Sequence, residues 1–150
     1  MTVETPVPVG MGLIGAGRIG TSHAGIIAER VQGARLAAVA DPRPEAAQAL
    51  ADRYGARVFT DPIELINDPE IAAVVIAASS EAHADLILAA AAAGKAIFCE
   101  KPMSLNLADA DRALAAADAA GVVLQVGFNR RFDRGIRGCH LRCHRIGAVR

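Results

Sequence analysis

Tryptophan is absent from the 150 residues, and one tyrosine and four phenylalanines leave aromatics at 3%. Alanine and the branched aliphatics must therefore build the core, which suits helices packed closely on a sheet. The same scarcity argues against a nucleic-acid surface, because no stacking platform accompanies the arginines. Cysteine is scarce too: Cys99, Cys139 and Cys143 are three, an odd number, and no secretory pattern precedes them. This argues for a reducing compartment and no structural disulfide. Residues 1–9 have neither a basic n-region nor a long apolar stretch, and no apolar run reaches membrane-spanning length. The expected setting is cytoplasmic, with no membrane partner. An excess of charge is also missing, with sixteen basic and sixteen acidic side chains. That balance hides an asymmetry. Residues 1–128 carry nine Lys and Arg against fifteen Asp and Glu, and residues 129–150 carry seven Arg against one Asp.

What is present is a globular composition, 53% hydrophobic and 21% charged, in a chain about one domain long. Strand and helix patterns alternate along it. Strands are expected at Val9–Ile14, Arg35–Ala40, Ala56–Phe59, Ala72–Ala78, Ala96–Cys99 and Val122–Val126. Helices are expected at Arg18–Arg30, Pro44–Tyr54, Pro62–Ile66, Glu81–Ala93 and from Asn106 or Leu107 to Ala120. In the first helix, Ile19, Ile26 and Ile27 mark the expected apolar face. Asp61 precedes the short third helix as a cap, and Gly121 ends the last one. Helical crossovers between strands imply a mostly parallel sheet, so the fold class is α/β, doubly wound and Rossmann-type. Residues 1–8 read as a loose lead-in, 9–128 as a dinucleotide-binding domain and 129–150 as a basic tail.

The first strand runs into Gly15-Ala16-Gly17-Arg18-Ile19-Gly20, which opens the first helix. A lone G-x-G-x-x-G is a weak signal, but strand before and helix after is the confirming context. Gly15 allows the tight turn, Gly17 lets a pyrophosphate approach the backbone, and Gly20 lets helix and strand pack closely. The start of the helix, at Arg18 and Ile19, offers unpaired N–H groups and a positive dipole end to phosphate. Arg18 either adds charge there or is simply solvated. Asp41 closes the second strand, 21 residues after Gly20. An acid there hydrogen-bonds a ribose 2′-hydroxyl and repels a 2′-phosphate, which favours NAD over NADP. The alternative is that Asp41-Pro42 merely starts a turn. Arg43 pulls the other way, since a nearby arginine accepts a 2′-phosphate.

The strand Ala96–Cys99 runs into Glu100-Lys101-Pro102 at the rim where open α/β sheets bind ligands. Alone, Lys101 would be read as a surface lysine. Four segments change that reading: GLIGAGRIGTSHA (12–24), AVADPRPEAAQALADRYGA (38–56), VVIAASSEAHADLILAAAAAGKAIFCEKPMSLNLADAD (74–111) and VGFNRRFD (126–133). In this order the chain resembles the glucose–fructose oxidoreductase / inositol dehydrogenase family, written Gfo/Idh/MocA. The GFNRRFD stretch most resembles inositol 2-dehydrogenases. The resemblance implies a nicotinamide-dependent oxidoreductase that moves hydride to or from a polyol or sugar. It places Lys101 near the nicotinamide and the reacting carbinol, with Glu100, Ser79 and His83 at the cofactor cleft. His83 then lines the cleft or simply starts its helix. Ser79 and Ser80 stand where the family more usually shows Thr-Pro, and Asn129 and Arg130 match a stretch near the cleft. A cis peptide before Pro102 is also implied.

Family members carry a second, substrate-binding domain that commonly mediates homo-oligomers, and it is expected to be absent here. After Asp133 the family pattern gives way to RGIRGCHLRCHRIGAVR, read as a divergent or truncated terminus. Cys139, His140, Cys143 and His144 invite a metal reading, but their spacing fits no common zinc pattern, so no metal is expected. The alternative to an enzyme is a nucleotide-binding fragment without turnover.

Overall fold

The computed structural model describes residues 7–132. The basic stretch after 132, with its Cys/His cluster, and most of the lead-in lie outside the described residues.

Six strands form one sheet in the order β3-β2-β1-β4-β5-β6, all parallel. They are β1 (Val9–Ile14), β2 (Ala34–Ala40), β3 (Arg57–Phe59), β4 (Ala73–Ile76), β5 (Ala96–Glu100) and β6 (Leu124–Gly127). The helices are α1 (Arg18–Arg30), α2 (Pro44–Tyr54), α3 (Pro62–Asn67), α4 (His83–Ala92) and α5 (Leu107–Ala120), and a 3-10 helix at Asn129–Phe132 follows β6. The chain order reverses direction between β1 and β4, so a crevice opens beyond their carboxyl ends.

Alternation along the strands divides the core into two layers. Leu13, Val39, Val75 and Phe98 face α1 and α2, while Ile14, Ala40, Ile76 and Cys99 face α3, α4 and α5. Small residues on the helices bring both layers close, for example Ala24 and Ala47 on one side and Ala90 and Ala113 on the other.

The local signals act as their chemistry dictates. Asp61 Oδ1 accepts the Ile63 N–H at 2.8 Å and caps α3, and Asn106 Oδ1 accepts the Asp109 N–H at 2.9 Å and caps α5. Gly55 and Gly121 end α2 and α5 in the left-handed region, which glycine adopts without a Cβ clash.

Three expectations are corrected. The buried face of α1 is Gly20, Ala24 and Ile27, whereas Ile19 and Ile26 are 45% and 44% exposed. The close approach that Gly20 permits turns the helix so that small residues meet the sheet. β4 is shorter than the apolar run 72–78, because after Ile76 the chain leaves the ladder to form one wall of the crevice. β6 starts at Leu124 rather than Val122, since the Val122 N–H still closes α5 on the Ala117 carbonyl.

The rim opposite the crevice is tied by charge. Arg57 pairs with Asp68 at 2.6 Å and with Glu70 at 3.5 Å, and Arg35 pairs with Glu70 at 3.1 Å. Lys95 Nζ donates to the carbonyls of Asp68 and Ile71 at 3.0 and 2.7 Å.

Candidate functional site

The glycine loop after β1 is shaped by contacts that only glycine allows. Gly15 has φ +101°, and a Cβ on it would strike the Ala77 carbonyl and the Ala78 nitrogen. A Cβ on Gly20 would overlap the Gly15 carbonyl oxygen. Gly17 differs: a Cβ there would meet nothing within 4 Å. Open space therefore faces the backbone where a pyrophosphate has to approach. Gly17 is the N-cap of α1 with no side-chain cap, so the first-turn N–H groups are not taken by a capping oxygen. These two observations fit a dinucleotide phosphate.

The crevice beside the loop is a cleft of about 510 Å³. Of the sequence-predicted residues, Gly15, Gly17, Asp41, Arg43 and Ser79 line it. Gly20 stands behind the loop and shapes it. Arg18 and Ile19 are exposed on α1 and are not among the lining residues. Thr60, Pro62, Ala82 and Leu86 also form the walls, and sequence reasoning did not single them out. Their only signal is position, since they follow β3 and β4 at the same carboxyl rim as Gly15.

Asp41 directly follows β2 and is 5% exposed. Its Oδ2 accepts the Ala16 N–H at 2.7 Å, and its Oδ1 accepts the Arg43 N–H at 2.9 Å and Arg43 Nε at 3.2 Å. It therefore makes the turn at Pro42 and straps the glycine loop at the same time. Asp41 lines the cleft, and a carboxylate oxygen that holds one N–H retains acceptor capacity. Burial is the largest influence on this carboxyl and alone pushes it up; the N–H groups of Ala16 and Arg43 and the Arg43 guanidinium together outweigh burial and hold it below its usual value.

At the end of β5 the structure separates residues that the sequence grouped together. Lys101 is exposed, and its ammonium makes no ion pair or hydrogen bond among the described residues. The Lys101–Pro102 peptide is cis. Glu100 does not line the cleft; its Oε1 accepts His23 Nε2 at 2.8 Å, and its Oε2 accepts the Lys101 N–H at 3.3 Å. His23, on α1, was not anticipated in this role. Its ring meets Phe98 edge-on, with centroids 5.3 Å apart. His83 is the first residue of α4 and is 2% exposed, behind the cleft wall rather than in it. Its Nδ1 lies 2.7 Å from the Pro102 carbonyl oxygen and its Nε2 lies 3.1 Å from that of Ala78. A carbonyl oxygen only accepts, so each contact needs its own ring N–H. Asn129 and Arg130 are exposed in the 3-10 helix beyond β6.

Cys99 is fully buried beside this tripeptide, and burial, aided by the Glu100 charge, pushes its thiol up to about 12. Among the described residues no cluster of His, Cys, Asp or Glu could hold a metal ion, and no helix is long and apolar enough to cross a membrane.

Known proteins carry the same domain. The sequence model of the Gfo/Idh/MocA oxidoreductase family, NAD-binding Rossmann fold, matches residues 9–128. Myo-inositol 2-dehydrogenase of Thermotoga maritima is 44% identical over 128 residues, 85% of this chain and 38% of that protein. Inositol 2-dehydrogenase of Acidothermus cellulolyticus is 43% identical over 149 residues, 97% of this chain and 44% of that protein. That similarity runs into the basic C-terminal stretch. Among solved structures, myo-inositol dehydrogenase of Lactobacillus casei in complex with NAD(H) and myo-inositol superposes with a TM-score of 0.81 at 36% identity. The match covers 87% of this chain and 40% of that one. The chain thus spans less than half the length of these relatives. The glycine loop, the cleft and the matched segment coincide: the chain belongs to the Gfo/Idh/MocA oxidoreductase family and carries its NAD-binding Rossmann domain.

Proposed function

We propose that this chain is the cofactor domain of an NAD-dependent dehydrogenase acting on a polyol or sugar of the inositol type. The observation that carries this reading is the common rim: the open backbone at Gly17, the cleft at Asp41 and the exposed Lys101 all lie at carboxyl ends of parallel strands. When bound, the nicotinamide supplies the hydride acceptor or donor. The chain's own residues do the rest. The first turn of α1 holds the pyrophosphate, with Arg18 and Ile19 contributing backbone donors. Asp41 uses its spare acceptor capacity for the adenosine ribose, and its negative charge disfavours a 2′-phosphate. Arg43 is already engaged by Asp41 through Nε, which leaves it a weaker phosphate ligand. Ser79 borders the cofactor on the β4 side. Lys101 orients the substrate oxygen and favours loss of its proton through a nearby positive charge. The setting we infer is cytoplasmic, with a small-molecule substrate and neither nucleic acid nor membrane as partner.

A second reading is nucleotide binding without turnover, which the glycine loop and the cleft at Asp41 support by themselves. Calorimetry with NAD+ and NADP+, followed by a reduced-cofactor assay over a polyol panel containing myo-inositol, separates the two. NAD+ is expected to bind more tightly than NADP+. Turnover favours the first reading, and binding without turnover favours the second. A folded chain that binds neither cofactor overturns both.

A further inference from the structure

Lys101 follows the carboxyl end of β5, outside the residues that line the cleft, and nothing among the described residues holds its long, flexible side chain. Its position is therefore set by its backbone, and the backbone by its two neighbours. Each neighbour is gripped by a histidine. Glu100 is the last residue of β5 and sits against Gly127 of β6. Its carboxylate receives His23 Nε2 at 2.8 Å and reaches on to the Lys101 N–H at 3.3 Å. Pro102 has no N–H, so its own backbone can be anchored only through its carbonyl. That carbonyl receives His83 Nδ1 at 2.7 Å. The two histidines stand on α1 and α4, helices that pack on opposite faces of the sheet.

We propose that His23 and His83 are positioning residues that clamp Lys101 from both flanks and tie it to the two walls of the cofactor cleft. This rests on the reading above that Lys101 faces the reacting carbon. His23 lies within a turn of Gly20, so the Glu100 contact joins Lys101 to the helix that opens the glycine loop. His83 opens α4, whose Leu86 lines the cleft, so the Pro102 contact joins Lys101 to that wall. The neighbourhood makes room for the clamp. A Cβ on Gly127 would come 3.0 Å from Phe98 Cζ and 3.2 Å from Glu100 Oε1, pressing on both partners of the His23 ring. A neutral His83 ring has one N–H and serves one carbonyl at a time; Pro102 is the nearer.

The test needs no substrate domain. The 15N order parameter of the Lys101 amide is measured in the ligand-free full chain. In the parent it should match rigid backbone, about 0.85. With His23→Leu or His83→Gln it should fall towards about 0.6, while amides in the middle of α1 and α4 keep their values. The rescue is specific. His23→Gln places an amide nitrogen where Nε2 stood, and His83→Asn places one where Nδ1 stood. Both should restore order at Lys101, whereas His83→Gln keeps only the Ala78 contact. If His83→Gln fails to fold, the His23 pair decides, since that side chain is 20% exposed and tolerates exchange. An unchanged Lys101 order parameter in folded His23→Leu overturns the clamp. NAD+ calorimetry on the parent is read separately, and failure there counts against the proposed cofactor while the order parameters still judge the clamp.

Discussion

The carboxylate of Asp41, at the end of β2, accepts the backbone N–H of Ala16, inside the glycine loop, at 2.7 Å. An acid expected to serve a ribose is thus also a strap on the phosphate site. Replacing Asp41 with Asn removes the negative charge and weakens both the strap and the Arg43 contact. The expected cost is about 1–3 kcal/mol in urea unfolding, because buried donors lose their charged acceptor. NAD+ affinity should drop more than NADP+ affinity, narrowing the preference. Equal losses for the two cofactors would mean that Asp41 does not read the ribose.

The same contacts set a dependence on pH. The folded protein holds the Asp41 carboxyl below its ordinary value, so the unfolded chain binds the proton more readily. The stabilisation is therefore complete above the unfolded value, about 3.9, and is lost as pH falls through the lower folded one. Asp68 acts in the same direction, held low first by its hydrogen bond from Arg57. Urea midpoints from pH 7 down to pH 3 should fall for the parent and fall less for Asp41→Asn. Parallel curves would exclude Asp41 as the source.

Gly20→Ala tests the close packing of the loop. The added methyl would overlap the Gly15 carbonyl oxygen, which is backbone and cannot swing aside. A loss of about 1–3 kcal/mol is expected, and NAD+ binding should weaken with it. Gly17→Ala meets open space and should leave stability within about 0.5–1 kcal/mol of the parent while still obstructing the cofactor. Thermal melts paired with calorimetry check both variants.

Cys99 should be silent towards thiol reagents. It is fully buried and its thiol is pushed up to about 12, so almost no thiolate exists near neutral pH. Iodoacetamide at pH 8 followed by peptide mass spectrometry should find Cys99 unmodified in the native protein and alkylated in urea. Native alkylation within minutes would contradict the packing around β5.

Much of this was legible because local chemistry writes it into neighbouring residues. The strand–glycine–helix order of 9–30, the cap at Asp61 and the stop at Gly121 are each decided within a few positions. The apolar face of α1 misleads because side-chain size is no sign of burial where a helix packs this closely. Gly20 and Ala24 face the sheet because they are small, and Ile19 and Ile26 are left to solvent. The partner of Glu100 was not legible at all: His23 lies 77 residues earlier, and the two meet only once α1 packs on the sheet. The second role of Asp41 was hidden for the same reason, since Ala16 approaches it only when β1 and β2 lie side by side.

The ion network of Arg35, Arg57, Asp68, Glu70 and Lys95 lies at the amino ends of the strands, and the cleft lies at their carboxyl ends. The sheet is thus a plank clamped at one end and worked at the other. Sequence drift at the clamped end erodes the melting temperature and leaves ligand choice alone. Drift at the working end, as at Asp41 or Gly20, changes both. Stability can therefore be tuned at the amino ends without touching the cleft, which lies at the other end of the strands.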